Sequence, residues 1–355
     1  MTFLSAVLLW LSFPPIGLSW LAWVAPVPFL NLVMANQETV YNRRRPLVKA
    51  WAASLIFWLV TFYFIPFPHP ILFIGWFALS AYLAVYTPLF LVATRTMVQR
   101  WRLPALIAVP IAWTGLEWIR INFLTGFGMV ALSHSQYSNP IVIQIADLSG
   151  AYTVTFAMTT FATGAACCFY KACRIRGVVA CVAVAALVMG YGTFRLNQIA
   201  DSAQPSGGET ETVALIQTSI DTILAPKSEQ QILDELSQLR DINWAARQAN
   251  DSIDLIVWPE SSYPYGNYIS NNNGQSDGQQ SVLISEANLK EIWTELTNRA
   301  GQFTPAATII GTSTIDIDKK EIFNSAVLLD DTGLPESRYD KNHRVMFGEY
   351  VPLLE

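Results

Sequence analysis

Charge is absent from four long stretches of the first 200 residues: positions 1–37, 50–94, 148–170 and 177–194 contain no Lys, Arg, Asp or Glu. A helix needs roughly 20 mostly apolar residues to cross a bilayer, so each of the first two stretches has room for a pair. Both are broken midway. Phe13-Pro14-Pro15-Ile16-Gly17 interrupts the first and Pro66, Pro68 and Pro70 the second, and proline removes helical hydrogen bonds and favours a turn. The pattern predicts about seven spans, near 2–13, 17–35, 50–66, 71–93, 103–120, 151–170 and 177–195. A cleavable signal peptide fits the start poorly, because no positive region precedes the apolar run and further spans follow it.

A different rhythm begins after residue 200. Residues 201–211, with Pro205, Gly207 and Gly208, form a polar linker. Beyond it, Val213-Ala214-Leu215-Ile216 and Asp254-Leu255-Ile256-Val257-Trp258 have the short apolar pattern of buried strands, as do Thr308-Ile309-Ile310-Gly311 and Ser325-Ala326-Val327-Leu328-Leu329. Between the first two, Ser228 and Gln231 are spaced as a capping box, and Ile232, Leu236, Leu239 and Ala246 follow on one helical face. A second helix is expected through Leu289, Ile292, Trp293, Leu296 and Ala300, with Gly301 as its stop. Residues 268–280 are rich in Asn, Gln and Gly and are expected to be a loop. Alternating strands and helices indicate an α/β layered sandwich. The chain thus divides into a membrane domain (1–200), a linker (201–211) and an α/β domain (212–355).

Charge sharpens this division. Residues 1–200 carry twelve basic and three acidic side chains, a formal +9, whereas residues 201–355 carry a formal −14. Cytoplasmic loops of membrane proteins collect Lys and Arg. With the N-terminus inside, the loops after spans two, four and six hold Arg43, Arg44, Arg45 and Lys49, then Arg95, Arg100 and Arg102, then Lys171, Arg174 and Arg176: ten of the twelve. Seven spans then deliver the acidic domain to the extracytoplasmic side. An acidic exported part speaks against nucleic-acid binding.

The cysteines, Cys167, Cys168, Cys173 and Cys181, lie in or beside spans six and seven. Their spacing matches no zinc pattern, and small core residues are the expected role. His69, His134 and His343 are isolated from one another and form no metal set. Tyr63, Trp76 and Trp118 near span ends fit interfacial aromatic belts.

Two charged residues occupy positions suited to chemistry. Glu260 follows the second strand directly, in Trp258-Pro259-Glu260-Ser261, and ligands of open α/β sheets gather at the carboxyl ends of strands. Lys341 follows the last strand in a similar setting. A solvated surface role is the plainer alternative for Glu260 alone, and a solvated loop position that for Glu349. Together, Trp258-Pro259-Glu260 and the segment Lys341-Asn342-His343-Arg344-Val345-Met346-Phe347-Gly348-Glu349 resemble the nitrilase (carbon–nitrogen hydrolase) superfamily. Within it the match is closest to the apolipoprotein N-acyltransferase family. Glu117-Trp118-Ile119-Arg120, Thr125-Gly126-Phe127-Gly128 and Ser135-Gln136-Tyr137 in the membrane half are similar to that family's motifs, and Gln217, Ile220 and residues 339–352 follow in family order. The chain departs from the pattern at Gly128-Met129, at Met346, and at Ala225-Pro226, where the family often has Lys-Trp.

The resemblance implies an incomplete nitrilase-like sandwich carried on a multi-span helical membrane domain, in the bacterial cytoplasmic (inner) membrane with the catalytic domain on the periplasmic side. It also implies acyl transfer through a thioester, from a membrane phospholipid to the α-amino group of S-diacylglyceryl-cysteine in an apolipoprotein. Glu260 is implied as general base, Lys341 as oxyanion stabiliser and Glu349 as a supporting, substrate-positioning group; no cofactor is implied. In family order the nucleophilic cysteine comes after Glu349, whereas every cysteine here lies upstream. The chain is therefore expected to be a fragment that forms no acyl-enzyme as it stands, with exposed sheet faces and edges. A membrane-tethered amidase and a non-catalytic lipid- or partner-binding module are the alternatives.

Overall fold

Clustering of the chain in space separates two compact units, Met1–Ser206 and Gly207–Glu355. The computed structural model describes residues 2–34, 45–123, 126–202, 210–219, 228–250, 252–263, 267–269, 306–316, 319–331 and 333–342.

The first unit is helical. Helix α1 (Thr2–Ser12) ends at the Pro14-Pro15 turn, where Gly17 adopts φ +71°, a conformation that glycine takes without a Cβ penalty. A 3-10 turn (Ser19–Trp23) and α2 (Val27–Met34) follow. Helix α3 (Arg45–Thr61) is separated by the Pro66–Pro70 turn from α4 (Leu72–Ala84), which continues through α5 (Tyr86–Arg95) and a π turn to Arg100. Next come α6 (Ala105–Asn122), a 3-10 turn (Leu132–Gln136), and the short α7 (Pro140–Ile143) and α8 (Ala146–Ser149). Two longer helices, α9 (Ala151–Cys167) and α10 (Arg174–Ser202), complete the unit.

Helices thus stand at each of the seven expected places, but their lengths differ from the expectation. Among the described residues, Leu72–Arg100 and Arg174–Asp201 are long and apolar enough to cross a membrane, and a third candidate arises if α7–α8 and α9, bent by 116°, count together. The stretch expected as a span over 17–35 is divided by the turn around Pro26, and α1 and α3 are also shorter apolar helices. At 1.5 Å per residue, the 17 residues of α3 reach about 25 Å, short of the roughly 30 Å hydrocarbon core.

Inside the unit, Phe29, Leu30, Phe90, Leu91, Val109 and Ala162 join α2, α5, α6 and α9 in one core, while Trp58 and Phe62 meet Leu83 and Ala84. Helices α9 and α10 cross at glycine: a Cβ on Gly164 would sit 2.8 Å from the Gly177 carbonyl oxygen and 2.8 Å from Cys181 Sγ. Small residues at such a crossing let two backbones approach closely, which gives Cys181 and the buried Cys167 a place in the helix contact. The outward side of α10 is apolar, with Val179, Val182, Leu187 and Phe194 exposed.

The second unit is a mixed sheet with a helix. Its order is β1 (Val213–Leu215), β2 (Leu255–Val257), β4 (Ala307–Asp316), β5 (Glu321–Leu329), β6 (Pro335–Asp340), with β3 (Asn267–Ile269) also paired to β4. Strands β1, β2 and β3 join the sheet in parallel, and β5 is antiparallel to both of its neighbours, β4 and β6. Helix α11 (Glu229–Ala249) opens with the expected capping box: the Gln231 N–H donates to Ser228 Oγ at 3.3 Å and the Ser228 N–H to Gln231 Oε1 at 2.8 Å. Leu239 is fully buried on its inner face, with Leu236, Ile242 and Ala246 beside it, against Ile216, Ile256, Trp258, Ile310 and Val327.

Tyr268 and Ile269, expected at the start of a loop, instead pair with Ile315 and Asp316 in β3; main-chain hydrogen bonding overrides a polar neighbourhood. Strand β6, Pro-Glu-Ser-Arg-Tyr-Asp, was absent from the apolar pattern because an edge strand carries charge and proline more readily than a central one. The expected helix over 289–300, its Gly301 stop and the remainder of the 268–280 loop lie outside the described residues.

Candidate functional site

The end of β2 is anchored before the chain turns. The Trp258 N–H donates to the Ile309 carbonyl at 2.9 Å, and after the turn the Tyr263 N–H donates to the Gly311 carbonyl at 3.0 Å. Both partners lie on β4, so residues 259–262 form a short arch pinned at each foot. The arch lies tight on the strand: a Cβ on Gly311 would sit 2.3 Å from the Pro259 carbonyl oxygen and 2.7 Å from Glu260 Cα. Ser261 takes φ +54°, a sparsely populated conformation for a residue with a side chain. The sequence thus places a glycine where the backbone must come close, and the arch holds Glu260 above the sheet.

Two neighbours converge on that carboxylate from the antiparallel side. Asn324 stands on β5 opposite Ser313 of β4, and its Nδ2–H donates to Glu260 Oε1. Lys341 follows β6 directly; its main-chain N–H donates to the Asn324 carbonyl at 2.8 Å, and its Nζ reaches Glu260 Oε1 at 3.1 Å. The end of β6 is tied down by Ser325 Oγ–H donating to Asp340 Oδ1 at 2.7 Å and by Arg338 pairing with Asp340 at 3.0 Å. Residues 81 positions apart in sequence therefore share one carboxylate oxygen.

Exposure decides how to read this pair. The Glu260 side chain is 62% exposed and that of Lys341 31%, and exposed ion pairs contribute only about 0–1 kcal/mol. Fold stability is a poor explanation for an arch with positive φ, a glycine beneath it and two donors on one oxygen. The arrangement suits chemistry instead: a carboxylate with one oxygen accepting from Asn324 and Lys341, beside an ammonium able to meet developing negative charge.

Of the residues expected in the site, Glu260 and Lys341 are brought together, and Glu349 lies outside the described residues, as does His343. Asn324 and Gly311 were not foreseen. A glycine inside a strand pattern signals a close backbone approach, so Gly311 left a trace in the sequence; the role of Asn324 appears only with the register.

The motif residues of the helical unit make a separate polar knot. Glu117 Oε1 accepts from the Leu132 N–H at 2.8 Å and from Trp113 Nε1–H at 3.2 Å, and its Oε2 accepts from Thr155 Oγ1–H at 2.8 Å. Arg120 donates to the Met129 carbonyl at 3.0 Å, and the Phe127 N–H returns a bond to the Arg120 carbonyl at 2.8 Å. Gln136 donates to the Ser19 carbonyl at 2.8 Å and accepts from Trp23 Nε1–H at 3.1 Å. Burying such polar groups requires partners, and every bond of the knot except that from Trp113 to Glu117, within α6, crosses from one segment to another.

Comparison with known proteins agrees with this two-part reading. Residues 5–164 match the model of the apolipoprotein N-acyltransferase N-terminal domain, and residues 212–353 match that of the carbon–nitrogen hydrolases. An apolipoprotein N-acyltransferase of Rhodopirellula baltica is 29% identical over 98% of this chain and 67% of its own length. One from Geobacter metallireducens is 31% identical over 99% of this chain and 64% of its own length, and one from Vibrio cholerae 28% over 78% and 50%. The chain thus spans about half to two thirds of the length of these relatives. Both domain models match in that order, and relatives of one name align across the junction between them, which supports a place in the apolipoprotein N-acyltransferase family.

Proposed function

We propose that this chain carries the membrane anchor and the acid–base half of a lipoprotein N-acylation centre. The single observation behind the reading is the Glu260 carboxylate held by Asn324 and 3.1 Å from the Lys341 ammonium. In the first step a cysteine thiol gives its proton to Glu260 and attacks the ester carbonyl of a membrane phospholipid; the lysophospholipid leaves, taking that proton, and a thioester remains. A thiol attacks as its thiolate, so a positioned carboxylate is what the step needs. In the second step the α-amino group of a diacylglyceryl-cysteine attacks the thioester, Glu260 takes the amine proton, and the thiol is released. Lys341 stabilises the oxyanion of each tetrahedral intermediate, and Glu349 supports substrate placement. Residues 201–355 contain no cysteine, so the thiol is not among them. The helical unit holds the protein in the bacterial inner membrane, with residues 207–355 on the periplasmic side, where both lipid substrates present their reacting groups.

The test is N-acylation of a lipoprotein in cells depleted of their own N-acyltransferase, with the protein expressed from its gene and the product read by mass spectrometry of the lipoprotein N-terminus. Glu260→Gln is expected to lower the rate by about 10²–10⁴-fold, the usual contribution of a general base, and Lys341→Met by about 10²–10³-fold. Undiminished N-acylation in either variant sinks the assignment.

A further inference from the structure

Three segments of the helical unit meet at one of its ends. Tyr170, after α9, donates its hydroxyl hydrogen to Asn31 Oδ1 of α2 at 3.1 Å. Arg95 of α5 donates to the Leu32 carbonyl through Nη2 at 2.6 Å and Nε at 3.2 Å. Met34, Met97 and Val98 pack on the same core as Ala166 of α9. The π turn after α5 and the turn between α9 and α10 are therefore neighbours, both beside the end of α2.

Both turns set large apolar side chains among cations, as Arg100-Trp101-Arg102, Phe169-Tyr170-Lys171 and Arg174-Ile175-Arg176. Trp101 is 63% exposed, Phe169 72% and Ile175 79%, and all five cations are exposed. Residues 95–104 and 167–177 contain no Asp or Glu, and among the described residues none of the five cations is in an ion pair. Main-chain bonds fix the outline of the π turn. The Trp101 N–H donates to the Thr96 carbonyl at 3.1 Å and the Leu103 N–H to the Met97 carbonyl at 3.0 Å, with Arg102 between them at φ +56°. On the other turn Arg174 Nε donates to the Cys168 carbonyl at 3.0 Å. Retention of basic loops in the cytoplasm accounts for cations in a membrane protein, but not for the apolar side chains standing exposed between them. Arg174 and Arg176 also lie in the first turn of α10, where a cation opposes the helix dipole and an anion is favoured.

We infer that this end of the helical unit is a docking surface for the headgroups of anionic phospholipids. The five cations meet phosphate, while Trp101, Phe169 and Ile175 enter the boundary between headgroups and acyl chains. Charge complementarity selects a lipid with net negative charge over a zwitterionic one. The apolar side chains select a membrane over nucleic acid, since Ile175 has no ring on which a base could stack. At 1.5 Å per residue, the 29 residues of α10 carry Ser202 about 42 Å away from Arg174. This surface and the linker to the second unit thus lie at opposite ends of α10, and the lipid held here is a companion, not an acyl donor. The inference uses the helical unit alone and does not depend on Glu260 or Lys341.

The experiment is lipid capture by the full chain in detergent, offered an equal mixture of phosphatidylglycerol and phosphatidylcholine with identical acyl chains. Retained lipid is quantified by mass spectrometry after washing. The unaltered protein is expected to favour phosphatidylglycerol at least about fivefold at low salt, the effect of one cation at an anionic surface, and to lose that preference at about 1 M salt, where charges are screened within about 3 Å. Changing Arg100 and Arg102 together to Gln is expected to lower the preference about fivefold or more, whereas the same change at Lys319 and Lys320 of the second unit leaves it unaltered. Equal retention of the two lipids, a preference that persists at high salt, or nucleic acid retained in place of lipid overturns the inference. A preference undiminished in the Arg100 and Arg102 variant also overturns it, because the anionic lipid is then held elsewhere. The comparison of lipids and salts needs no substitution, so misfolding of a variant does not shield it. No readout involves acyl transfer, so failure here leaves the Glu260–Lys341 reading standing, and failure of that reading leaves this one.

Discussion

A single hydrogen atom at residue 311 sets how close the Glu260 arch lies to β4. Adding a methyl group there would drive a Cβ to 2.3 Å from the Pro259 carbonyl oxygen, and the obstacle is backbone, which cannot rotate aside. Gly311→Ala is therefore expected to destabilise the second unit by about 1–3 kcal/mol, the usual range for overfilling a tight site, and to lower N-acylation more than Gly333→Ala, a change in the turn before β6 with φ +83°; equal activity of the two variants refutes a positioning role for the arch. Asn324 makes a second test. Asn324→Asp places a carboxylate against Glu260, and adjacent carboxylates tend to hold a proton between them, so the acid limb of the pH–rate profile is expected to move to higher pH, whereas Asn324→Leu is expected to lower the rate without that displacement. An acid limb that stays in place in Asn324→Asp would show that residue 324 does not face the carboxylate that sets the rate. These positions also show what sequence yields at this scale. Glu260 and Lys341 were recognisable because each follows a strand and sits in a distinctive local motif. Asn324 was not, because its partnership arises from the β4–β5 and β5–β6 registers, which bring residues 64 and 81 positions apart in sequence onto one oxygen.

Elements were legible where their ends carry chemistry. The Ser228–Gln231 box fixed the start of α11, and the apolar spacing fixed its buried face, so two changes probe separate contributions. Ser228→Ala is expected to cost about 1 kcal/mol through the lost cap, and Leu239→Ala about 2–5 kcal/mol through the cavity it leaves against Ile256 and Ile310; both are read as lowered resistance of the second unit to pulse proteolysis. A larger effect from the exposed cap than from the core leucine contradicts the assigned inner face. Strand β3 escaped the pattern because main-chain pairing with β4 places it, and β6 because it is rich in charge and half of its residues are exposed. In the helical unit the breaks at Pro14-Pro15 and Pro66–Pro70 were readable, but helix length was not. Composition shows where apolar residues run, whereas the turn at Pro26 and the 116° bend before α9 set how far each helix extends.

At the scale of the molecule the open quantity is the parity of crossings. Among the described residues two helices are long enough to cross on their own, and three if the bent pair counts as one. An even number puts residues 207–355 on the same side as Met1, and an odd number puts them opposite. The concentration of basic residues in alternate loops favours odd, because Lys and Arg in short loops hold those loops in the cytoplasm. Alkaline phosphatase fused after Glu355, which is active only outside the cytoplasm, is therefore expected to be active in intact bacteria. Changing Arg43, Arg44 and Arg45 together to Ser removes a quarter of the basic residues in the first 200 and is expected to lower that activity by leaving a mixed population of orientations, while the same change at Arg240 and Arg247, within α11, leaves orientation unaltered. An inactive fusion on the unaltered chain would place the carboxylate and ammonium on the cytoplasmic side, away from exported lipoprotein, and the proposed acyl acceptor would have to be abandoned along with the topology.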